Sequence, residues 1–188
     1  MSRWQPDARG RLAKAALDLY DERGFERTTV AEIAERAGLT ERTFFRHYAD
    51  KREVLFGGTG QLLERITAAA EGVPADAPPL DVVVAVLDAI AEDFPETRRA
   101  HARRRKAVID AHSELREREL IKLAHFSATL STVLRERGVP DREASLAGEA
   151  GTAVFKVAIA RWIEEDGGPG LGPLMRETLA ALRAVTGC

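Results

Sequence analysis

The chain has 188 residues, with 28 Lys and Arg against 30 Asp and Glu, a formal net charge of −2. Bulk charge therefore draws it to no polyanion, and any such site must be a local arrangement. The one cysteine, Cys188, excludes an internal disulfide framework and a cysteine-based metal cluster. No apolar run approaches the roughly 18 residues of a membrane span, and Met1-Ser2-Arg3-Trp4-Gln5-Pro6 lacks the apolar core of a secretory signal, so a cytoplasmic protein is expected.

Residues up to about 71 read as short helices with sharp punctuation. Trp4, ahead of the first helix, needs only packing to explain it. Leu12, Ala16, Leu19 and Tyr20 form one apolar stripe that ends at Arg23-Gly24, with Gly24 placed as the residue that closes the helix. Thr29-Val-Ala-Glu32 is a capping box: the Thr29 hydroxyl accepts from the amide of Glu32 while the Glu32 carboxylate reaches back. Val30, Ile33, Ala34 and Ala37 then supply the buried stripe of a helix of about two turns, and Gly38 ends it. Thr40 caps the next helix, where Phe44 and Tyr48, four apart, anchor one side. Ala49-Asp50-Lys51 separates it from a longer helix expected over about 51–71.

The prolines divide the rest. Gly72–Pro79, Gly138-Val-Pro-Asp141 and Gly167-Gly-Pro-Gly170 are breaks. Helices are expected near 80–94, 96–112, 114–137, 142–165 and 171–186. With 31 Ala and 19 Leu and no alternating β-branched runs flanked by turns, the class is all-α. The expected domains are 1–56, three helices with a helix-turn-helix, and 57–188, a helical bundle.

Two short helices joined by a tight glycine turn make a helix-turn-helix. On its second helix, at about 100° per residue, Phe44 and Tyr48 face one way and Arg42 and Arg46 the other, with Thr43 and Phe45 flanking. Like charges at i,i+4 disfavour an isolated helix, and a polyanion placed opposite reverses that penalty. Between Arg36 and Arg52 stand five Lys and Arg against Glu41 and Asp50, a basic patch in an acidic chain. Thr28, Thr29 and Thr40 precede helices whose free amides suit phosphates, and Lys51 is placed to clamp the backbone. Arg suits guanine or phosphate in the major groove. The bland alternative, caps plus a solvated face, is available for each residue singly but weaker for the set.

The run from Arg9-Gly-Arg-Leu-Ala-Lys-Ala-Ala to Tyr20, then Gly24-Phe25, Thr29-Val-Ala-Glu-Ile-Ala-Glu-Arg-Ala-Gly38 and Thr43-Phe-Phe-Arg-His-Tyr48 with Lys51, closely resembles the DNA-binding domain of the TetR family of transcriptional regulators. The resemblance implies phosphate contacts at Thr29, Thr43, His47 and Lys51, base reading at Glu41, Arg42 and Phe45, and either role for Arg46. Phe45 stands where the family usually has a tyrosine, so it cannot donate to phosphate, though its ring can touch a thymine methyl. Arg42 replaces a common glycine or proline. Glu41 either reads a cytosine amino group or simply favours the positive end of the helix. The resemblance further implies double-stranded operator DNA as partner, a pseudo-palindromic site, a homodimer through the last two helices, a small-molecule effector of unassigned identity, and no cofactor.

Two stripes suit the dimer: Ala147, Ala150, Gly151, Val154, Val157, Ala158 and Trp162 on one helix, and Leu171, Leu174, Met175, Thr178, Leu182 and Val185 on the last. Packing inside one subunit explains them equally well. The basic run Arg98–Lys106 reads first as a solvated face, with DNA or an anionic ligand as rival readings. His101, His112 and His125 lack metal-ligand spacing. An enzyme would need G-x-S-x-G, H-E-x-x-H or a Walker loop, and none is present. The remaining rival is a helical interaction module that sets its basic face on an acidic partner.

Overall fold

The computed structural model describes residues 7–165 and 167–187; Trp4 and Cys188 lie outside them. Among the described residues every regular element is helical: α1 (Ala8–Arg23), α2 (Val30–Arg36), α3 (Glu41–His47), α4 (Thr59–Glu71), α5 (Pro79–Glu92), α6 (Arg99–Ala111), α7 (Ser113–Glu136), α8 (Asp141–Glu164) and α9 (Leu171–Thr186), with 3₁₀ turns at Glu53–Phe56 and Glu96–Arg98. No helix among them is long and apolar enough to cross a membrane.

The chain forms two compact units. The first takes residues up to Gly58 together with Arg104–Glu117, and the second Thr59–Arg103 with the chain from Arg118 onward. The boundary thus follows Gly58, and the first unit also recruits a segment from the middle of the chain.

In the first unit Leu12, Ala16, Leu19, Tyr20, Phe25, Ile33, Phe44 and Tyr48 make a core that Val108, Ile109 and Leu115 complete. The local signals read from sequence operate as such: both arms of the Thr29–Glu32 box are made, and Thr40 accepts from Thr43 N at 3.2 Å. The structure adds a cap that sequence reading did not assign, Asp7 accepting from Gly10 N at the start of α1. Gly24 and Gly38 take φ of +85° and +64°, the left-handed backbone that closes α1 and turns the chain from α2 to α3. The helix expected over 51–71 is instead a 3₁₀ turn, then Gly57-Gly58, then α4. At the break a glycine is required: a Cβ on Gly57 would stand 2.8 Å from the Tyr48 ring, and the Gly57 carbonyl takes a hydrogen bond from Arg9.

The second unit packs α4, α5, α7, α8 and α9 around Ile66, Val83, Ile90, Phe126, Leu130, Phe155, Trp162 and Leu174. Phe126 stacks on Phe155 at 5.2 Å between centroids, and Phe94 meets Trp162 edge-on at 5.9 Å. Gly151 lets α8 approach closely, since a Cβ there would lie 2.7 Å from Leu130 Cδ2.

Two expectations are corrected here. Of the two stripes assigned to an interface, Ala147, Gly151, Val154, Ala158, Trp162, Leu171, Leu174 and Met175 are buried inside the subunit. The outward face of α8 carries Leu146, Ala150, Ala153, Val157 and Ala160, with Leu146 64% and Val157 52% exposed. Small residues serve close approach within the fold first. The basic run Arg98–Lys106 is also no solvated face. Arg99, 3% exposed, donates to the carbonyls of Trp162 (2.7 Å), Glu165 and Pro169 (3.2 Å), and Arg103 to that of Ile163 (2.8 Å). The last carbonyls of α8 have no intrahelical partner, and these guanidinium groups satisfy them.

Candidate nucleic-acid interface

Helix α3 is only seven residues long, so its placement rests on packing rather than on its own stability. Phe44 is fully buried, touching Tyr48 at 5.6 Å between ring centroids, and the Tyr48 hydroxyl donates to the carbonyl of Arg9 at 3.2 Å. Burial pushes the Tyr48 phenol above its ordinary pKa, so it stays a neutral donor. Helix α1 is held in turn by Arg104, which bonds Asp18 (2.8 Å) and Asp21. Hydrogen bonds from Lys14 first and Arg104 second keep the Asp18 carboxyl below the usual range.

With Phe44 and Tyr48 facing in, the outer side presents Glu41, Arg42, Phe45 and Arg46, all exposed, with Phe45 at 55%. The cations around them are engaged. Arg36 makes a two-point pair with Glu22 at 2.8 Å for each bond, which holds the Glu22 carboxyl low. Arg23 pairs with Glu32, Arg52 with Asp50 and Glu114, and Arg105 donates to the Leu55 carbonyl and lies over the Phe56 ring. Among the described residues of the first unit, Arg42 and Arg46 are the two Lys or Arg side chains without an intramolecular partner. Two guanidinium groups without an intramolecular partner thus stand one turn apart on the outer side of α3, with the Glu41 carboxylate at its start.

The remaining expected contacts divide. Thr29 and Thr40 are exposed at the starts of α2 and α3. The Thr29 hydroxyl sits 2.9 Å from Glu32 Oε2, and the Thr40 hydroxyl 3.1 Å from that of half-buried Thr43. The Thr29 amide is the main reason that the Glu32 carboxyl stays below its ordinary range. Thr28, read as part of the same hydroxyl cluster, is buried, and its hydroxyl donates to the Gly24 carbonyl at 2.9 Å. His47 is half-buried with Nε2 shut off from solvent and unbonded. Lys51, expected as a backbone clamp, is turned inward: its ammonium donates to the carbonyls of Phe25 (2.8 Å), Glu26 (3.1 Å) and Thr28 (3.0 Å). Sequence reading missed this, because no local pattern announces a lysine that closes a turn more than twenty residues away. Arg104 on Asp18 and Asp21 escaped notice for the same reason. No group of three or more His, Cys, Asp or Glu among the described residues is placed to hold a metal.

Comparison with known proteins matches the two ends of the chain to two family models. Residues 12–57 match the family model for bacterial regulatory proteins of the tetR family, and residues 77–187 match that of the MftR C-terminal domain. The HTH-type transcriptional regulator TcmR of Streptomyces glaucescens is 39% identical over 82 residues, 44% of this chain and 36% of that protein. MftR of Mycobacterium tuberculosis is 25% identical over 126 residues, 67% of this chain and 63% of that protein. The chain thus spans less than two thirds of the length of these curated relatives. Among solved structures, FadR of Thermus thermophilus, a TetR-family repressor in complex with lauroyl-CoA, shares the fold at 24% identity. Its TM-score is 0.60, over 93% of this chain and 92% of that one.

Proposed function

Because the chain belongs to the TetR family of transcriptional regulators, we propose that it acts as a ligand-responsive repressor, a homodimer that sets one α3 per subunit into the major groove at a pseudo-palindromic operator. One observation carries the reading: Arg42 and Arg46 are left without partners, side by side on the outer face of a helix whose inner face is the core of its unit. An unpaired guanidinium is worth most opposite guanine or phosphate. Arg42, Phe45 and Glu41 are the proposed base-reading set, Arg46 reaches base or phosphate, and Thr29, Thr40, Thr43 and His47 stand beside the backbone, His47 through Nδ1.

The proposed dimer surface is the outward apolar face of α8, Leu146 to Ala160, with Ala181 and Val185 of α9 beside it. A soluble subunit rarely leaves such a face to water, and an isologous contact pairs it with itself. The effector is proposed to bind in the second unit, as the lauroyl-CoA complex of the T. thermophilus FadR suggests by analogy. By linkage, an effector that favours the wrong separation of the two α3 helices weakens operator binding by the factor with which DNA weakens the effector.

Selection of bound duplexes from a random pool tests the class. The expected result is a two-fold symmetric consensus with half-sites about one helical turn or more apart. Enrichment of no sequence, with binding that simply falls steeply with salt, would instead favour a module that sets its basic face on an acidic partner.

A further inference from the structure

The three carbonyls that Lys51 holds lie in the turn between α1 and α2, whereas Lys51 itself lies just past the end of α3. An ammonium has three donors and no acceptor, and the bonds at 2.8, 3.1 and 3.0 Å use all three. The charge also sits 4.5 Å from the centroid of the Phe25 ring, a favourable cation–π placement. The other end of the residue is fixed as well, because the buried Tyr20 hydroxyl donates to the Lys51 carbonyl at 2.6 Å. Burial drives the Tyr20 phenol far above its ordinary pKa, which keeps that proton in place. The segment leaving α3 is therefore tied to α1 through one bond and to the turn that launches α2 through three.

We propose that Lys51 is a positioning residue of the DNA-binding unit: it sets α2 and α3 at their mutual angle by gathering the carbonyls of Phe25, Glu26 and Thr28, and it makes no phosphate contact. A phosphate oxygen would have to displace one of three hydrogen bonds of ordinary length that the ammonium makes inside the turn. The inference rests on the proposed operator binding for its consequence, but not for its geometry. Its consequence is that Lys51 governs sequence discrimination, which depends on where Arg42 points, and leaves the electrostatic part of the affinity alone. Arginine cannot replace it, since no single guanidinium nitrogen offers three hydrogens to converge on three carbonyls.

The test uses the full chain carrying Lys51→Arg, with Lys51→Met as second variant and Arg46→Ala as a control for loss of one charge from the exposed face of α3, each measured below its own melting transition. For Lys51→Arg, discrimination between the selected operator and a scrambled duplex is expected to fall on the order of tenfold, with an unchanged slope of log affinity against log salt. In the free protein, amide exchange over residues 25–32 is expected to quicken in both variants. Wild-type discrimination in Lys51→Arg together with a salt slope reduced by about one in Lys51→Met would overturn the proposal in favour of a phosphate contact. Unchanged exchange in both variants would overturn it outright. If the wild-type chain shows no discrimination, the operator reading fails by itself, and the exchange of the free protein still decides whether Lys51 holds the turn. Should Lys51→Met not fold, Lys51→Arg carries each arm except the reduced slope, where retained discrimination alone is the overturning result.

Discussion

Helices α3 and α8 follow the same inward rule and opposite outward ones. Each buries one stripe, Phe44 with Tyr48 behind α3 and Ala147, Gly151, Val154, Ala158 and Trp162 along α8. The outside of α3 carries two guanidinium groups that make no ion pair within their unit, with Glu41 at the start of the helix, and the outside of α8 carries Leu146, Ala150, Ala153, Val157 and Ala160. The inward stripe says how a helix joins its own unit. The outward face is what each has left to offer: for α3 the proposed contact with a polyanion, for α8 the proposed contact with an apolar surface. Length follows the same division, since seven residues suffice for a probe held by its neighbours, while α8, 24 residues long, forms much of the second core.

That contrast breaks most sharply at the centre of the apolar face. Ala153→Arg puts a charge where the proposed partner subunit packs and leaves the inward stripe intact. The expected result is a monomer in analytical ultracentrifugation, with operator affinity lower by on the order of 10²–10⁴-fold because two linked recognition helices become one. A dimer that survives this change places the interface elsewhere. On the cationic face the effect is smaller and more specific. Arg42→Ala should lose about 1–3 kcal/mol on the operator and relax preference at one base position, whereas Arg46→Ala, where it meets phosphate, weakens all sequences alike. Equal losses on every duplex for Arg42→Ala would remove it from the base-reading set.

The smallest effects concern the first unit's own stability. The carboxyls of Asp18, Glu22 and Glu32 all sit below their ordinary range in the fold. A depressed folded pKa contributes stability that is complete above the unfolded value and is lost as pH falls through the folded one. Thermal unfolding should therefore be level near neutrality and decline as pH drops through about 4 and below. Thr29→Ala, which removes the cap of α2, should cost about 0.5–2 kcal/mol at neutral pH, and the variant's acid decline should be shallower because Glu32 has lost its bond to the hydroxyl.

Much of the first unit was legible because its signals are short-range. The Thr29–Glu32 box, the left-handed glycines at 24 and 38, and the i,i+4 pair Phe44–Tyr48 are each complete within five residues. The break at Gly57 was not, because the Tyr48 ring that demands a glycine there comes from the preceding element. Nor was the fate of the basic run. Arg99 and Arg104 look alike in sequence, yet one satisfies carbonyls at the end of α8 and the other carboxylates of α1.

The sequence alone determined the helical class, the turns of the recognition motif and the side of α3 that faces out, because hydrophobic period, caps and glycine punctuation act through bonds between residues a few positions apart. Only the tertiary structure decided which cations remain unpaired, which small-residue stripe lies inside the subunit, and that Lys51 closes a turn. Each of those outcomes depends on acceptors and surfaces supplied by distant parts of the chain, and a guanidinium or ammonium bonds whichever oxygen folding brings within about 3 Å.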